Sequence, residues 1–263
     1  MKRKIRTGLT RFKHYRDLLI VLTQKEVKVR YKNTIFGYVW SVAHPLAFAF
    51  VFFVAFKVII RIQMEGYAVF LIAGLFPWQW LSNSVNASPM VFLGNASLIK
   101  RVNLPRNILP LTIVLQDMIH FILSIPVIVF FIFIYHKSPS FSWFYGIPVL
   151  LGIQLLMTYG LSLMISSINL FFRDLERLTI ILTTLVFWFT PIIYPETMIP
   201  ERYMKLILFF NPLSPLMISW RKLFLDGSLD LALVTVSFTY SLVVFMLGYL
   251  IYKKLSWKFA EVL

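Results

Sequence analysis

The stretch MIHFILSIPVIVFFIFIYH at residues 118–136 contains no Asp, Glu, Lys or Arg. Its length is close to the roughly 20 residues that a helix needs to cross about 30 Å of hydrocarbon. Further uncharged runs occur at 33–56, 66–99, 138–172, 178–195 and 231–252. Hydrophobic residues make up 59% of the 263 residues and charged ones 14%, which is too apolar for a soluble globule. The sequence therefore predicts an all-α integral membrane protein.

One membrane-spanning helix placed in each apolar region gives a count of six. The alternation of polar and apolar residues that is typical of a membrane barrel is missing from the sequence, so helices are the expected spanning structure. The predicted spans are 35–56, 67–90, 108–134, 143–172, 178–194 and 231–252.

The basic residues are concentrated near the N-terminus and in alternate loops. Eleven of the 26 Lys and Arg precede Asn33, which differs from the spread basic surface of a nucleic-acid-binding protein. The N-terminus, the loops after the second and fourth predicted spans and the C-terminus carry 19, and the other loops carry seven. The positive-inside rule then places both termini in the cytoplasm. We expect membrane lipids as neighbours and no nucleic acid partner.

Residues 1–34 are expected to form an amphipathic helix on the cytoplasmic leaflet, ahead of a membrane domain at 35–263. Basic residues fill the faces between apolar side chains that recur at helical spacing. The apolar positions are Leu9, Phe12, Tyr15, Leu19 and Leu22. A simple positively charged anchor for the first span would explain the same charges, and this alternative stays open.

The chemistry that this chain could perform is limited by its composition. It has no cysteine, and it contains no zinc-protease, serine-hydrolase or phosphate-loop motif. Asp117 and His120 share a face of the third span. Such residues more often form polar contacts between helices than a proton relay. We expect no catalytic residues, no metal site and no cofactor in this chain. If transport uses ATP, a separate ATPase chain must bind ATP and Mg²⁺.

Two segments between the spans are unusual. Residues 94–110 are too short for a domain but favour a helix, which suggests a short cytoplasmic helix. Residues 190–220 contain five prolines and an apolar stretch that is too short to cross a bilayer. We interpret the second segment as a re-entrant or interfacial helical hairpin at the outer surface.

Four blocks in the sequence resemble those of polysaccharide-export ABC transporter permeases, a family of type 2 exporters, and within it the O-antigen permeases. The blocks are RYKNTIFGYVWSVAHP at 30–45, NLFFRDLERL at 169–178, TPIIYP at 190–195 and NPLSPL at 211–216. The resemblance implies a homodimer joined to two ATP-binding cassette subunits in the bacterial inner membrane. Such a complex exports a lipid-linked polysaccharide, here O-antigen on a polyprenyl diphosphate.

The resemblance also assigns roles to the two unusual segments. It implies a coupling helix at 96–105 that docks on the ATPase, and an outer gate at 195–215. The expected coupling residues are Ser97, Lys100, Arg101, Asn103 and Pro105. The expected gate residues are Tyr194, Pro195, Phe209, Phe210 and Pro212.

A polysaccharide channel requires aromatic walls, because the apolar C–H faces of sugar rings stack weakly on aromatic side chains and can slide along them. The candidate channel residues are Trp40, Phe48, Phe52, Trp78, Trp80, Phe187 and Trp188. The lipid diphosphate requires fixed cations at the membrane surface. Arg30 and Lys32 inside and Lys57 and Arg61 outside are the options, and the sequence does not choose between them.

Two other functions are alternatives for this sequence. A permease of the same fold could export capsule, teichoic acid or a small amphipathic molecule. A membrane-embedded lipid-modifying enzyme would need a cluster of acid and base groups near one interface. Arg173, Asp174, Glu176 and Arg177 form the only dense set, and their alternating signs suit a salt-bridged turn better.

Overall fold

The computed structural model describes residues 2–31, 37–102, 104–136 and 138–262. These residues form helices and connecting segments, with no β-strand among them. The helices are α1 Lys2–Tyr31, α2 Trp40–Phe53, α3 Tyr67–Ala87, α4 Val91–Gly94, α5 Ala96–Arg101, α6 Ile108–Ile134, α7 Trp143–Asn169, α8 Leu175–Phe189, α9 Glu201–Phe210, α10 Ser214–Asp226, α11 Leu231–Leu255 and α12 Phe259–Val262.

Three regular helices of the described chain are long and apolar enough to cross a bilayer. They are α6, α7 and the segment Leu231–Lys258, which contains α11. The α2 helix continues into a π-helical stretch, Val54–Ile59, and contributes a shorter apolar segment, Leu46–Ile59. The bounds of α6 agree with the sequence prediction, whereas α8 begins at Leu175 and ends at Phe189, earlier than predicted at both ends.

The main hydrophobic core surrounds α3. Most residues of this helix are buried on all sides, including Leu71, Phe76 and Leu81. Helices α2, α6, α7 and α10 pack around it. A helix that is apolar all round is expected at the centre of a bundle.

Helices α7 and α11 approach each other closely at two glycines. A Cβ atom added to Gly160 would lie 2.6 Å from the Cα of Phe245, and one added to Gly248 would lie 2.8 Å from the carbonyl carbon of Gly160. Small residues at a crossing point allow the backbones of membrane helices to make extensive van der Waals contact. The pair α7–α11 therefore depends on the absence of side chains at these two positions.

A second hydrophobic cluster, which we call the terminal cluster, joins the two ends of the chain. Its buried members are Leu22, Val91, Phe92, Leu104, Ile108, Leu109, Leu170 and Phe259. Arg106 Nη1 donates a hydrogen bond of 2.7 Å to the carbonyl oxygen of Ser256 and its guanidinium lies 5.9 Å from the ring centre of Phe259. Helix α1 and helix α12 therefore lie at the same end of the bundle as α5.

Helix α10 is a feature that the sequence analysis did not separate from the proline-rich segment. Pro215 lies in its first turn, where the missing N–H is not needed, so this proline starts the helix instead of breaking it. Gly227, with φ of +61°, follows its last residue in the left-handed conformation that commonly ends helices. Most of α10 is buried, which makes it part of the core.

Candidate functional site

Five of the seven aromatic residues predicted to line a channel lie together, and we call them the aromatic cluster. They are Phe48 and Phe52 on α2, Trp78 on α3, and Phe187 and Trp188 on α8. The ring centres of Phe52 and Phe187 are 5.6 Å apart, and those of Trp78 and Phe187 are also 5.6 Å apart. Phe48 lies 5.9 Å from Phe52, one helical turn away. The cluster therefore connects three helices that are distant in sequence.

The other two predicted residues have different environments. Trp80 is buried between α3 and α6, where Nε1 donates a 3.1 Å hydrogen bond to the carbonyl oxygen of Val114 and the ring stacks on Phe121. It points away from Trp78 because residues two apart on a helix face nearly opposite directions. Trp40 is half exposed at the first residue of α2. It precedes Phe48 by about 12 Å along the helix.

An open apolar groove of about 630 Å³ adjoins the aromatic cluster and shares Trp78 with it. Side chains from α3, α7, α8 and α9 form its walls. They include Leu81, Val85, Met157, Leu161, Leu185, Val186 and Phe210. The α7 residues of this wall were missed by the sequence analysis, because an apolar helix gives no sign of which face borders a groove.

One face of α8 is apolar and exposed along its whole length. Its exposed residues include Leu178, Ile181, Leu185, Trp188 and Phe189. Exposed apolar patches of this extent are found where a protein meets lipid or another protein chain.

Buried Arg221 fastens residues 190–196, which we call the exit segment because the outer gate is predicted here. Its side chain is 4% exposed, its Nη1 donates a 2.7 Å hydrogen bond to the carbonyl oxygen of Pro191, and its guanidinium pairs with Glu196. The guanidinium also lies 4.4 Å from the ring centre of Phe70. In the sequence, Arg221 is one of the seven basic residues counted in the other loops, and nothing in its spacing indicates these partners.

Two further side chains hold the exit segment. Tyr67 donates a 2.7 Å hydrogen bond from its hydroxyl group to the carbonyl oxygen of Ile193. Asn211 donates a 2.8 Å hydrogen bond from Nδ2 to Thr190 Oγ1. The exit segment is therefore tied to α3, to α10 and to the turn after α9.

Of the predicted gate residues, two belong to this segment and three follow it in the chain. Tyr194 donates a 3.0 Å hydrogen bond to the carbonyl oxygen of Trp188, and Pro195 precedes the 3₁₀ turn Glu196–Met198. Phe209 and Phe210 at the end of α9 are 69% and 74% exposed, with ring centres 5.2 Å apart. Pro212 lies in the turn after α9 and borders the apolar groove.

The predicted coupling residues lie at the end of the bundle that carries the terminal cluster. Ser97, Lys100, Arg101 and Pro105 are exposed, whereas Leu98 and Ile99 pack on the terminal cluster. The helix ends at Arg101, shorter than the predicted 96–105, and Val102 is extended. A helix that continued to Pro105 would need an N–H at this proline to donate to the carbonyl oxygen of Arg101, and proline has none. Asn103 lies outside the described residues.

Two of the four basic residues proposed for a lipid diphosphate can be located. Lys57 Nζ donates hydrogen bonds to the carbonyl oxygens of Ile62 at 3.2 Å and Met64 at 2.8 Å, which closes the turn before α3. Arg61 is exposed in that turn with φ of +61°. Lys32 and the side chain of Arg30 lie outside the described residues.

The polar residues of α3 and α6 meet inside the bundle. Ser84 Oγ donates a 2.8 Å hydrogen bond to Asp117 Oδ2. A cavity of about 30 Å³, lined by Asp117, His120 and Asn83 among others, adjoins this contact. Within the described ranges no three His, Asp or Glu side chains are placed to hold a metal ion.

The helical fold, the three long apolar helices and the apolar surface of α8 together define an integral membrane protein. The sequence model of the ABC-2 type transporter family matches residues 17–225, and the chain belongs to this family.

Similar proteins include two from Klebsiella pneumoniae described as O-antigen export system permease protein RfbA. They are 43% and 44% identical over 247 residues, which covers 94% of this chain and 95% of each relative. A protein of the same description from Myxococcus xanthus is 33% identical over 217 residues, covering 82% of this chain and 83% of the relative.

Proposed function

We propose that this chain is the permease subunit of an ATP-driven exporter that moves O-antigen, linked to a polyprenyl diphosphate, across the bacterial inner membrane. The observation that carries the proposal is the aromatic cluster on α2, α3 and α8 beside an open apolar groove. Aromatic faces hold sugar rings by weak, replaceable contacts, as a sliding polymer requires. The descriptions of the similar proteins favour O-antigen over capsule or teichoic acid.

The channel is proposed to form between two copies of this chain. The described residues leave the apolar face of α8 and part of α2 uncovered, and a second copy would enclose the aromatic cluster between them. Phe48, Phe52, Trp78, Phe187 and Trp188 are the channel residues that this arrangement supports best. The interior contacts of Trp80 favour a structural role.

The orientation follows from the same proposal. Six crossings, with helices α2, α3, α6, α7, α8 and α11, would place both termini and α5 in the cytoplasm. The shared terminal cluster supports this arrangement, because it brings α1 and α12 to one end. Residues 1–34 would then act as the interface helix and 35–263 as the membrane domain.

Coupling to two ATPase subunits is assigned to α5, which presents Ser97, Lys100 and Arg101 outward while Leu98 and Ile99 hold it on the bundle. ATP and Mg²⁺ would be bound by those subunits. At the opposite end, Tyr194, Pro195, Phe209, Phe210 and Pro212 would close the outer mouth. The diphosphate would meet Arg30 and Lys32 on entry, or Lys57 and Arg61 on exit.

Export can be tested in cells that synthesise O-antigen but lack its permease, by supplying this chain with an ATPase subunit. The double variant Phe52→Ala, Trp188→Ala removes two stacking surfaces, each worth about 0.5–1.5 kcal/mol. If the two substitutions together weaken the contact with the polysaccharide by about 1.4 kcal/mol, surface O-antigen should fall by about tenfold. The amount of permease in the membrane should be unchanged.

The matched control is Phe144→Ala, which removes an exposed aromatic side chain of α7 that is not part of the aromatic cluster. It should leave surface O-antigen at the unmodified level. Equal export by the double variant and the control would refute the aromatic channel. If the unmodified chain fails to restore surface O-antigen, the assignment of O-antigen as the substrate is refuted.

A further inference from the structure

A second groove, of about 540 Å³, lies between α1 and α6. Its volume is within the range of about 300–1,000 Å³ that is typical of small-molecule sites. Residues 19, 20, 23, 24, 27 and 28 of α1 line one side and share a single helical face, and residues 115, 118 and 119 of α6 line the other. None of them belongs to the aromatic cluster or to the larger apolar groove.

Thr23 is a buried polar residue in the wall of this groove. Its side chain is 7% exposed, and Oγ1 has no hydrogen-bond partner in the described part of the chain. Threonines on the other helices, such as Thr183 and Thr235, donate to the carbonyl oxygen four residues earlier. A buried hydroxyl group without a partner costs about 1–3 kcal/mol. This cost would be removed by a ligand that supplies an oxygen acceptor.

Lys28 gives the groove a positive charge at one end. No carboxylate of the described residues lies within ion-pair distance of its Nζ, whereas the neighbouring Lys25 pairs with Glu26 at 3.1 Å. The remaining wall is mostly apolar, with Leu19, Ile20 and Met118 among its members. The occupant should therefore combine a hydrocarbon chain, an oxygen acceptor and a negative charge.

We infer that one anionic phospholipid binds between α1 and α6 as a resident lipid. An acyl chain fills the apolar part, an ester oxygen accepts the Thr23 hydroxyl proton in a hydrogen bond, and the phosphate lies at Lys28. A polyprenyl diphosphate fits less well, because it has no carboxylic ester oxygen beside its hydrocarbon chain for Thr23, and its diphosphate carries more negative charge than Lys28, the one cation among the described lining residues, can offset. The lipid would join the amphipathic helix to the membrane bundle.

The inference can be tested with the purified full chain in detergent by native mass spectrometry. Palmitoyl-oleoyl phosphatidylglycerol is titrated against phosphatidylcholine with the same acyl chains. We expect one phosphatidylglycerol per chain, bound in preference to phosphatidylcholine. Lys28→Gln should weaken binding about fivefold, which corresponds to about 1 kcal/mol for one basic residue at a membrane surface. Thr23→Val should also weaken binding.

Lys25→Gln is the matched control, because it removes a lysine of the same helix that lies outside the groove. It should leave binding within twofold of the unmodified chain. Thr23→Val should not lower thermal stability in lipid-free detergent, since it removes an unsatisfied buried group. Equal losses for Lys25→Gln and Lys28→Gln, equal binding of the two lipids, or displacement of phosphatidylglycerol by a polyprenyl phosphate would each overturn the inference.

Discussion

A methyl group at Gly160 tests whether close contact between α7 and α11 supports the fold. The added Cβ would lie 2.6 Å from the Cα and 2.7 Å from the backbone nitrogen of Phe245, where ordinary contact begins at 3.4 Å. The helices must separate by roughly 0.8 Å. A gap of this size removes about a quarter to a half of the van der Waals attraction of each contacting atom pair. Because these are backbone atoms, no rotamer change relieves the clash, and Gly160→Ala should cost about 1–3 kcal/mol.

Gly152→Ala on the same helix is the control. A Cβ at Gly152 meets no atom within 4 Å, and alanine favours helix over glycine by about 1 kcal/mol. The two substitutions should therefore change stability in opposite directions. Thermal unfolding of the purified protein in detergent measures this, at about 2–4 °C per kcal/mol for a chain of 150–250 residues. Equal midpoints for Gly160→Ala and Gly152→Ala would refute the packing argument.

Three other predictions concern the two ends of the bundle. The double variant Lys100→Glu, Arg101→Glu should abolish export while the ATPase continues to hydrolyse ATP, and unchanged export would contradict a coupling role. The double variant Phe209→Ala, Phe210→Ala should make reconstituted vesicles leak small ions, because two bulky apolar side chains are lost from the proposed outer gate. Vesicles that remain tight would rule out a gate. Hydrogen bonds from Lys222 and from backbone N–H groups lower the pKa of Asp230, so its stabilising contribution should be present at neutral pH and lost as the pH falls below about 4. Asp230→Asn should therefore be less stable at pH 7 with a difference that disappears in acid, and a constant difference in thermal midpoint would contradict this.

Long uncharged runs made the helices of the core predictable. Helix α6 has the predicted bounds because hydropathy changes sharply on both sides of it. Helix α8 ends earlier than predicted, because apolar residues continue through 191–194 although the chain leaves the helix at Thr190 and forms turns and bends that side chains hold. Helix α10 was harder to predict, because Pro212 and Pro215 both suggest a break, whereas Pro215 lies in the first turn, where a proline is compatible with a helix.

The sequence predicted which types of residue form the candidate site, but not the directions in which their side chains point. Trp78 and Trp80 are equally plausible channel residues in the sequence, and only packing shows that Trp80 faces α6. The role of Arg221 depends on Pro191 and Glu196, which come from a separate part of the chain. Contacts over such sequence distances follow from the tertiary fold, so hydropathy and spacing cannot reveal them.

The fastening of the exit segment divides the proposed outer mouth into parts of unequal local stability. Opening at Pro191 or Ile193 requires the loss of hydrogen bonds from Arg221 and Tyr67, and it would leave a buried guanidinium with fewer partners. Helix α9 has no buried residue, so its local unfolding exposes little new apolar surface. If a polymer leaves by this route, the mouth widens at the lowest cost by displacement of α9 alone. The exit segment would then keep its position throughout the transport cycle.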